Sequence, residues 1–455
     1  MPSQGHPTPL PPGLIIAGTR SQSGKTTTTL ALMAKLHHTG IPIAPFKAGP
    51  DYIDPAWHQE ICHLPSWNLD TFMVGRSTCH TLFHQVRQGR LGIVEGVMGL
   101  FDGKSGVGGP GSTADLAATL GLPVILVVEA RGMAGSIAPL VAGFNAAARG
   151  FHLAGIIANG VGSDSHARLL AGILEESALP PLLGWLPRDP TLALAERHLG
   201  LTLPADQITP NPEYPTRLAT ALRCDPERLL AAVAEATLPA TVTTDPNQSL
   251  TLPPAHDLGD TPLLAGQTIA IARDQAFCFL YAANLAWLET MGARLHFFSP
   301  LAGTLPPPAT TAIWLPGGYP ELHGATLANS TTWPELRRHV AAGTPVLAEC
   351  GGMMALGESL VDPEGKTWPM AKILPITTRM SGRLAGLGYR HEAGGTRGHE
   401  FHHSVREGAT TQEPAFVVDK GDAGLRVHNV RASYIHWYFP SAPRQVAAWF
   451  APTAA

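Results

Sequence analysis

The chain has 455 residues, too many for one ordinary hydrophobic core, so two or three domains are expected. Hydrophobic residues make up 44% and charged residues 15%, and the formal charge of -4 argues against nucleic acid as a partner. The five cysteines lie far apart with no C-x-x-C pair, which fits neither a disulfide framework nor a zinc knuckle and points to the cytoplasm.

Residues 1–12 read as a Pro-rich tail without the charged start and apolar run of a signal peptide, and no apolar stretch is long enough for a membrane span. Short apolar runs then alternate with longer helical patterns. LIIAG (14–18), LGIVEG (91–96), PVILVVEA (123–130) and AGIIANG (154–160) are nearly continuous apolar runs, as buried parallel strands are. Helical stretches such as SIAPLVAGFNAAARG separate them, so the front half reads as a parallel-sheet α/β domain over 13–240.

The first strand leads into GTRSQSGKTTTT, a small-residue loop that opens a helix. Backbone N–H groups at such a helix start hold phosphate oxygens, Lys25 would reach the β- and γ-phosphates, and Thr26 would ligate magnesium. Gly18, Thr19, Ser23, Gly24 and Thr27 complete the nucleotide-binding candidates, with Asn159 as a contact from a later strand end. Five residues separate Gly18 from Gly24, one more than the strict Walker pattern allows. Two acidic clusters follow at strand ends: FKAGPDYIDP with Lys47, Asp51 and Asp54, and IVEGVMGLFDG with Glu95 and Asp102. Ligands bind beyond the carboxyl ends of such strands, where acids hold magnesium or orient a carboxylate that accepts a phosphoryl group. The competing reading is that the acids only cap helices and shape turns.

The Pro-, Thr- and Asp-rich stretch 241–266 has no clear period and reads as a linker. A second α/β series, 267–455, begins with QTIAIARD and continues through YAANLAWLETMG, ARLHFFSP and TAIWLPGG. TPVLAEC then runs into Cys350, with Gly351, Gly352 and a helical pattern behind it. A strand–turn–helix elbow of this kind exposes a nucleophile, and the helix start is expected to lower the thiol pKa. Gly317 and Gly318, ending another strand in LPGGYPEL, offer N–H groups for an oxyanion hole. His436 in SYIHWYF is the candidate base, with His399, His402 and His403 as competitors. Cys62, Cys79, Cys224 and Cys278 lack an elbow and are expected to be inert.

GTRSQSGKTT, FKAGPDYIDP, VEGVMGLFDG, AERHLGL, FFSPL, LPGGYPEL, AECGGMM, RGHEFHHS and SYIHWYF together resemble the cobyrinate and hydrogenobyrinate a,c-diamide synthase family over nearly the whole chain. The resemblance implies a dethiobiotin-synthetase-like ATP domain, whose phosphate loop has the longer spacing, joined to a class I glutamine amidotransferase domain. It also implies a corrin substrate, ATP and L-glutamine as partners, with Mg2+. On this reading the c and then the a carboxylate is phosphorylated and amidated. Cys350 and His436 release ammonia from glutamine. Asp51, Tyr52, Ile53, Asp54, Glu95 and Asp102, with Lys47, match segments that handle substrate and ATP; Thr26, Asp51 and Glu95 are the magnesium candidates. Many class I amidotransferases keep a Glu two residues after the His, where this chain has Tyr438; VVEARGM carries Glu129 where the family is expected to have Asp. The rival readings are a nickel-sirohydrochlorin a,c-diamide synthase, a cobyric acid synthase and a partner-binding P-loop ATPase. A homodimer and the nucleotide base remain open.

Overall fold

In a computed structural model, residues 10–104, 106–194, 196–197, 200–240, 262–408 and 412–451 are described. Two compact units divide the chain, Met1–Leu250 and Thr251–Ala455. Most of the expected tail (1–9) and of the expected linker (241–261) lies outside the described residues. The neighbouring described residues are tied down: the Pro12 carbonyl accepts from Gly92 N–H, and Leu264 is 1% exposed within the rear core.

The front unit is an eight-stranded sheet. Its strands are β1 (Gly13–Gly18), β2 (Ile43–Ala48), β3 (Trp67–Leu69), β4 (Leu91–Gly99), β5 (Val124–Glu129), β6 (Leu153–Val161) and β7 (Leu182–Pro187). These run parallel in the order β7-β6-β5-β1-β4-β2-β3, and Arg223–Cys224 closes the β7 edge antiparallel. Every residue of β1 and β2 is buried, which explains why these strands are apolar throughout rather than alternating. Leu30, Leu32 and Met33 of helix α1 (Lys25–His38) pack into one core with Leu14, Ile16, Ile93 and Ile157. Because β1 lies between β4 and β5, the strand order reverses at its carboxyl end, where a crevice opens in such sheets.

The rear unit is built on a six-stranded sheet ordered Arg294–Phe298, Thr268–Ala272, Ala312–Leu315, Val346–Glu349, Val430–Ser433, Leu425–Val427. Only the last pair is antiparallel. A three-stranded antiparallel sheet, Gly386–His391, Arg397–His402 and Ile435–Tyr438, stands beside it in the chain. Two cores flank the main sheet. One gathers Phe277, Leu315, Met353 and Leu360; the other gathers Trp287, Trp314, Trp437 and Phe450.

Candidate active site

Two chemical centres emerge, one in each unit. In the front unit β1 ends at Gly18, and the loop returns through Gly24, whose φ of 87° is left-handed, to start α1 at Lys25. Asn159 at the end of β6 donates to the Ser23 carbonyl at 3.3 Å and to Glu129 Oε2 at 3.3 Å, so it braces this loop. Thr19 N–H donates to the Val127 carbonyl, and Thr27 lies in the first turn of α1. Among the described residues the buried Ser23 Oγ has no hydrogen-bond partner.

The β2–β4 register sets Lys47 directly opposite Glu95. Lys47 Nζ lies 2.6 Å from Asp54 Oδ2, 3.5 Å from Glu95 Oε1 and 3.9 Å from Asp51 Oδ2, and donates to the Gly96 carbonyl at 2.9 Å. Burial opposes the charge on Lys47, but Asp54 and Glu95 outweigh it and hold the ammonium protonated. Burial likewise opposes the Glu95 carboxylate, which Lys47, His58 and Thr26 keep well below the usual range. Asp54 is pushed upward by burial, Asp51 and Glu95 against the pull of Lys47. Thr26 Oγ1 donates to Glu95 Oε1 at 2.6 Å.

Asp51 Oδ1 accepts from the N–H groups of Ile53 and Asp54, so it caps helix α2 (Ile53–Cys62) while its other oxygen faces Lys47. Tyr52 precedes the helix and Ile53 begins it. Asp102 Oδ2 accepts from Gly99 N–H at 2.9 Å, shaping the turn after β4. Both Asp51 and Asp102 therefore make the turn and cap contacts that acids beside Gly and Pro make, and still border the charged cluster.

Lys25 is 9% exposed and makes no ion pair among the described residues. Burial and then Lys47 lower its pKa, while Glu95, Asp54 and Asp102 raise it. Asp51, Asp54, Glu95 and Asp102 thus surround the amino groups of Lys25 and Lys47, and carboxyl groups outnumber amines in this centre. The Thr26 hydroxyl and Glu95 carboxylate are hard oxygen donors of the kind magnesium takes alongside phosphate oxygens. Among the described residues no three His, Cys, Asp or Glu could hold a metal together.

In the rear unit, Val346–Glu349 runs into Cys350 at φ 45° and ψ -107°, a strained left-handed position ahead of the helix Gly351–Leu356. Cys350 N–H donates to the Ser433 carbonyl at 2.7 Å, and the parallel pairing Glu349↔Ser433 places this elbow beside the end of strand Val430–Ser433, just before the strand Ile435–Tyr438 that carries His436. A side chain at Gly352 would strike the Leu315 carbonyl, so the helix can leave the elbow only without one. At Gly317 a side chain would strike His436 Cε1, and a Cβ at Gly351 would lie 3.0 Å from the Gly318 N. The Gly317–Gly318 turn therefore borders both the histidine and the helix start behind Cys350.

The expected lowering of the thiol pKa by the helix start is overturned. Burial pushes the Cys350 thiol up, Glu321 and Glu349 add to that, and the Gly351 N–H opposes it without prevailing. A six-residue helix offers a short dipole, and the thiol is only 6% exposed. His436 is pushed down by burial and then by His399 and His402. The resting pair is neutral thiol and neutral imidazole. Glu349, next to Cys350, is pushed up to about 8 by burial, although its oxygens accept from Trp437 N–H at 2.9 Å and Trp314 Nε1 at 3.2 Å.

The first unit matches the CobQ/CobB/MinD/ParA nucleotide binding domain over residues 14–201, and the second matches the CobB/CobQ-like glutamine amidotransferase domain over 268–443. Over 453 residues, covering 96% of both chains, the protein is 39% identical to a cobyrinate a,c-diamide synthase of Herminiimonas arsenicoxydans. It is 40% identical to a hydrogenobyrinate a,c-diamide synthase of Rhizobium meliloti over 93% of this chain and 98% of the relative. A cobyrinate a,c-diamide synthase of Salmonella typhimurium is 37% identical over 96% and 97%. The chain belongs to the cobyrinate and hydrogenobyrinate a,c-diamide synthase family.

Within that family frame, several participants escaped sequence reading. His58 is fully buried and bridges Glu95 Oε2 at 2.8 Å and Ser66 Oγ at 2.9 Å. Its one legible signal is its place four residues after Asp54 on the same helix face. Of the competing histidines, His402 is engaged by Glu400 at 2.8 Å and by the Ser404 carbonyl at 2.7 Å, and His403 rings against Phe401. The AERHLGL segment (195–201) is only partly described. Cys62 and Cys224 are pushed up to about 12 and about 11 by burial, and Cys79 rises for the same first reason.

Glu400 yields a stability prediction. Burial raises its carboxyl, but hydrogen bonds from His402 and Arg390 (2.6 Å) and the Arg390 charge win, holding it at about 2. A depressed folded pKa contributes stability that is complete above the unfolded value of 4.5 and is lost as pH falls toward 2. Thermal melts of the wild type should therefore drop more steeply between pH 4.5 and 2 than those of Glu400→Gln, by on the order of a few degrees. Parallel decline of the two proteins would remove Glu400 from this role.

Proposed function

We propose that this chain catalyses ATP- and glutamine-dependent amidation of the c and then the a carboxylate of a corrin ring, giving the a,c-diamide in cobalamin biosynthesis. The observation that carries the reading is the elbow: Cys350 held at a left-handed φ ahead of Gly351, with the Gly317–Gly318 turn bordering both His436 and that helix start, in a chain that also carries a phosphate loop. The five free cysteines suit a cytoplasmic enzyme.

Glutamine chemistry begins when Cys350 Sγ attacks the carboxamide carbon while His436 takes the thiol proton. With the thiol pushed up and the imidazole pushed down, the thiol proton passes to His436 once glutamine is bound rather than being shed in the resting enzyme. N–H groups of Gly317 and Gly318 receive the oxyanion. His436 returns the proton to the leaving nitrogen as ammonia departs, and water then releases glutamate from the thioester.

In the front unit the phosphate loop and Lys25 hold the triphosphate, and Thr26 and Glu95 hold Mg2+, with Asp51 as a further candidate at the rim. Bound Mg2+ supplies charge neutralisation on the phosphates. A ring carboxylate oxygen attacks the γ-phosphorus, ADP leaves, and an acyl phosphate results. Ammonia attacks its carbon and phosphate departs. Lys47, Asp54 and Asp102 hold the charge balance around that centre, and Tyr52 and Ile53 shape the α2 start beside it.

The test supplies hydrogenobyrinate and cobyrinate side by side with ATP and glutamine, and follows product mass and glutamate. Two successive amidations of at least one corrinoid, with one glutamate per amide, are expected. No amidation of either ring and no glutamate released overturns the reading.

A further inference from the structure

His436 lacks the acidic residue two positions later that commonly orients an amidotransferase histidine, because that position is Tyr438. The structure offers another element in its place. Strand Arg397–His402 pairs antiparallel with Ile435–Tyr438, and the register puts His399 directly opposite His436. The rings stack, with centroids 5.2 Å apart and planes 22° from parallel. Opposed residues on paired strands point to one face, so this stack is imposed by the sheet.

His399 is itself fixed. It is 8% exposed, and its Nδ1 lies 3.2 Å from the hydroxyl of the buried Tyr281. Tyr281 rests edge-on against Tyr438 at 5.0 Å. The residue standing where the acid is usually found thus supports His436 indirectly, through Tyr281 and His399. Phe279 (5.9 Å, tilted) and the Gly317 backbone border the histidine from other elements.

We propose that His399 is the positioning residue of His436, fixing the plane of its ring by face-to-face stacking so that one nitrogen stays aimed at Cys350. An aromatic face restrains a neighbouring ring without accepting its proton, so His436 keeps its direction. The proposal rests on the reading of His436 as the general base.

The experiment measures glutamine hydrolysis and ammonia-driven amidation by His399→Ala, His399→Phe, Tyr281→Phe and His436→Ala in the full chain. Loss of ring alignment is expected to lower kcat for glutamine in His399→Ala by roughly 10- to 100-fold. KM for glutamine and the ammonia-driven rate should stay near wild type. His399→Phe, which keeps a stacking face, should recover most of that kcat, and Tyr281→Phe should fall between. Wild-type kcat in His399→Ala, a Phe variant no better than Ala, or parallel loss of the ammonia-driven rate each overturns the proposal. If His436→Ala itself still hydrolyses glutamine, the general-base reading fails; if it is inactive while His399→Ala is normal, the positioning role alone fails.

Discussion

Cys350→Ala should abolish glutamine-dependent amidation, by ~10⁴-fold or more, while ammonia supplied in excess still supports amide formation. The reason lies in the proposed separation of tasks. In the proposed mechanism Sγ takes up the glutamyl unit, and nothing in the front-unit cluster can replace it, whereas free ammonia enters the second half of the reaction without any thiol. Alanine keeps a Cβ at the strained φ of 45°, so the elbow backbone changes little. A thermal melt near wild type would confirm an intact fold. A well-folded variant that has also lost the ammonia-driven rate would refute the division of labour between the two units.

Lys25→Ala should abolish amidation from either nitrogen source. Lys25 is a nearly buried amine at the start of α1, uncommitted to an ion pair among the described residues, in a cluster rich in carboxyl groups. In the proposed mechanism its removal takes away a preorganised cation for the phosphates, which typically costs about 10² to 10³ in rate, or roughly 3–4 kcal/mol. Lys47 cannot substitute, because its ammonium is held at 2.6 Å by Asp54. Glutamine hydrolysis in the rear unit should persist at a basal level. Ammonia-driven synthesis at wild-type rate by the variant would remove Lys25 from phosphate handling.

The pKa shifts at the rear centre also set an expectation for how glutamine turnover is controlled. With the thiol pushed up and the imidazole pushed down, a ready ion pair would not accumulate before glutamine binds.

Features carried by neighbouring residues in sequence were legible without the fold. The continuous apolar runs named the buried parallel strands, because a strand covered on both faces has no polar side. Gly24-Lys25-Thr26 after one strand and Cys350-Gly351-Gly352 after another announced the phosphate loop and the elbow, since each geometry is made by a few consecutive residues. The strand Leu91–Gly99 runs three residues beyond its expected end, where it pairs with Gly18 and takes on the turn held by Asp102.

What the fold decided are the pairings between distant residues. Lys47 meets Glu95 only through the β2–β4 register, and His58 reaches that same carboxylate only because α2 lies over it. His399 faces His436 across paired strands, and Glu349 joins the elbow to the next strand through Trp437. The state of the thiol belongs here too. Sequence placed Cys350 at a helix start and so suggested a thiolate, but desolvation depends on everything packed around an atom, and that sum exists only once the chain has folded.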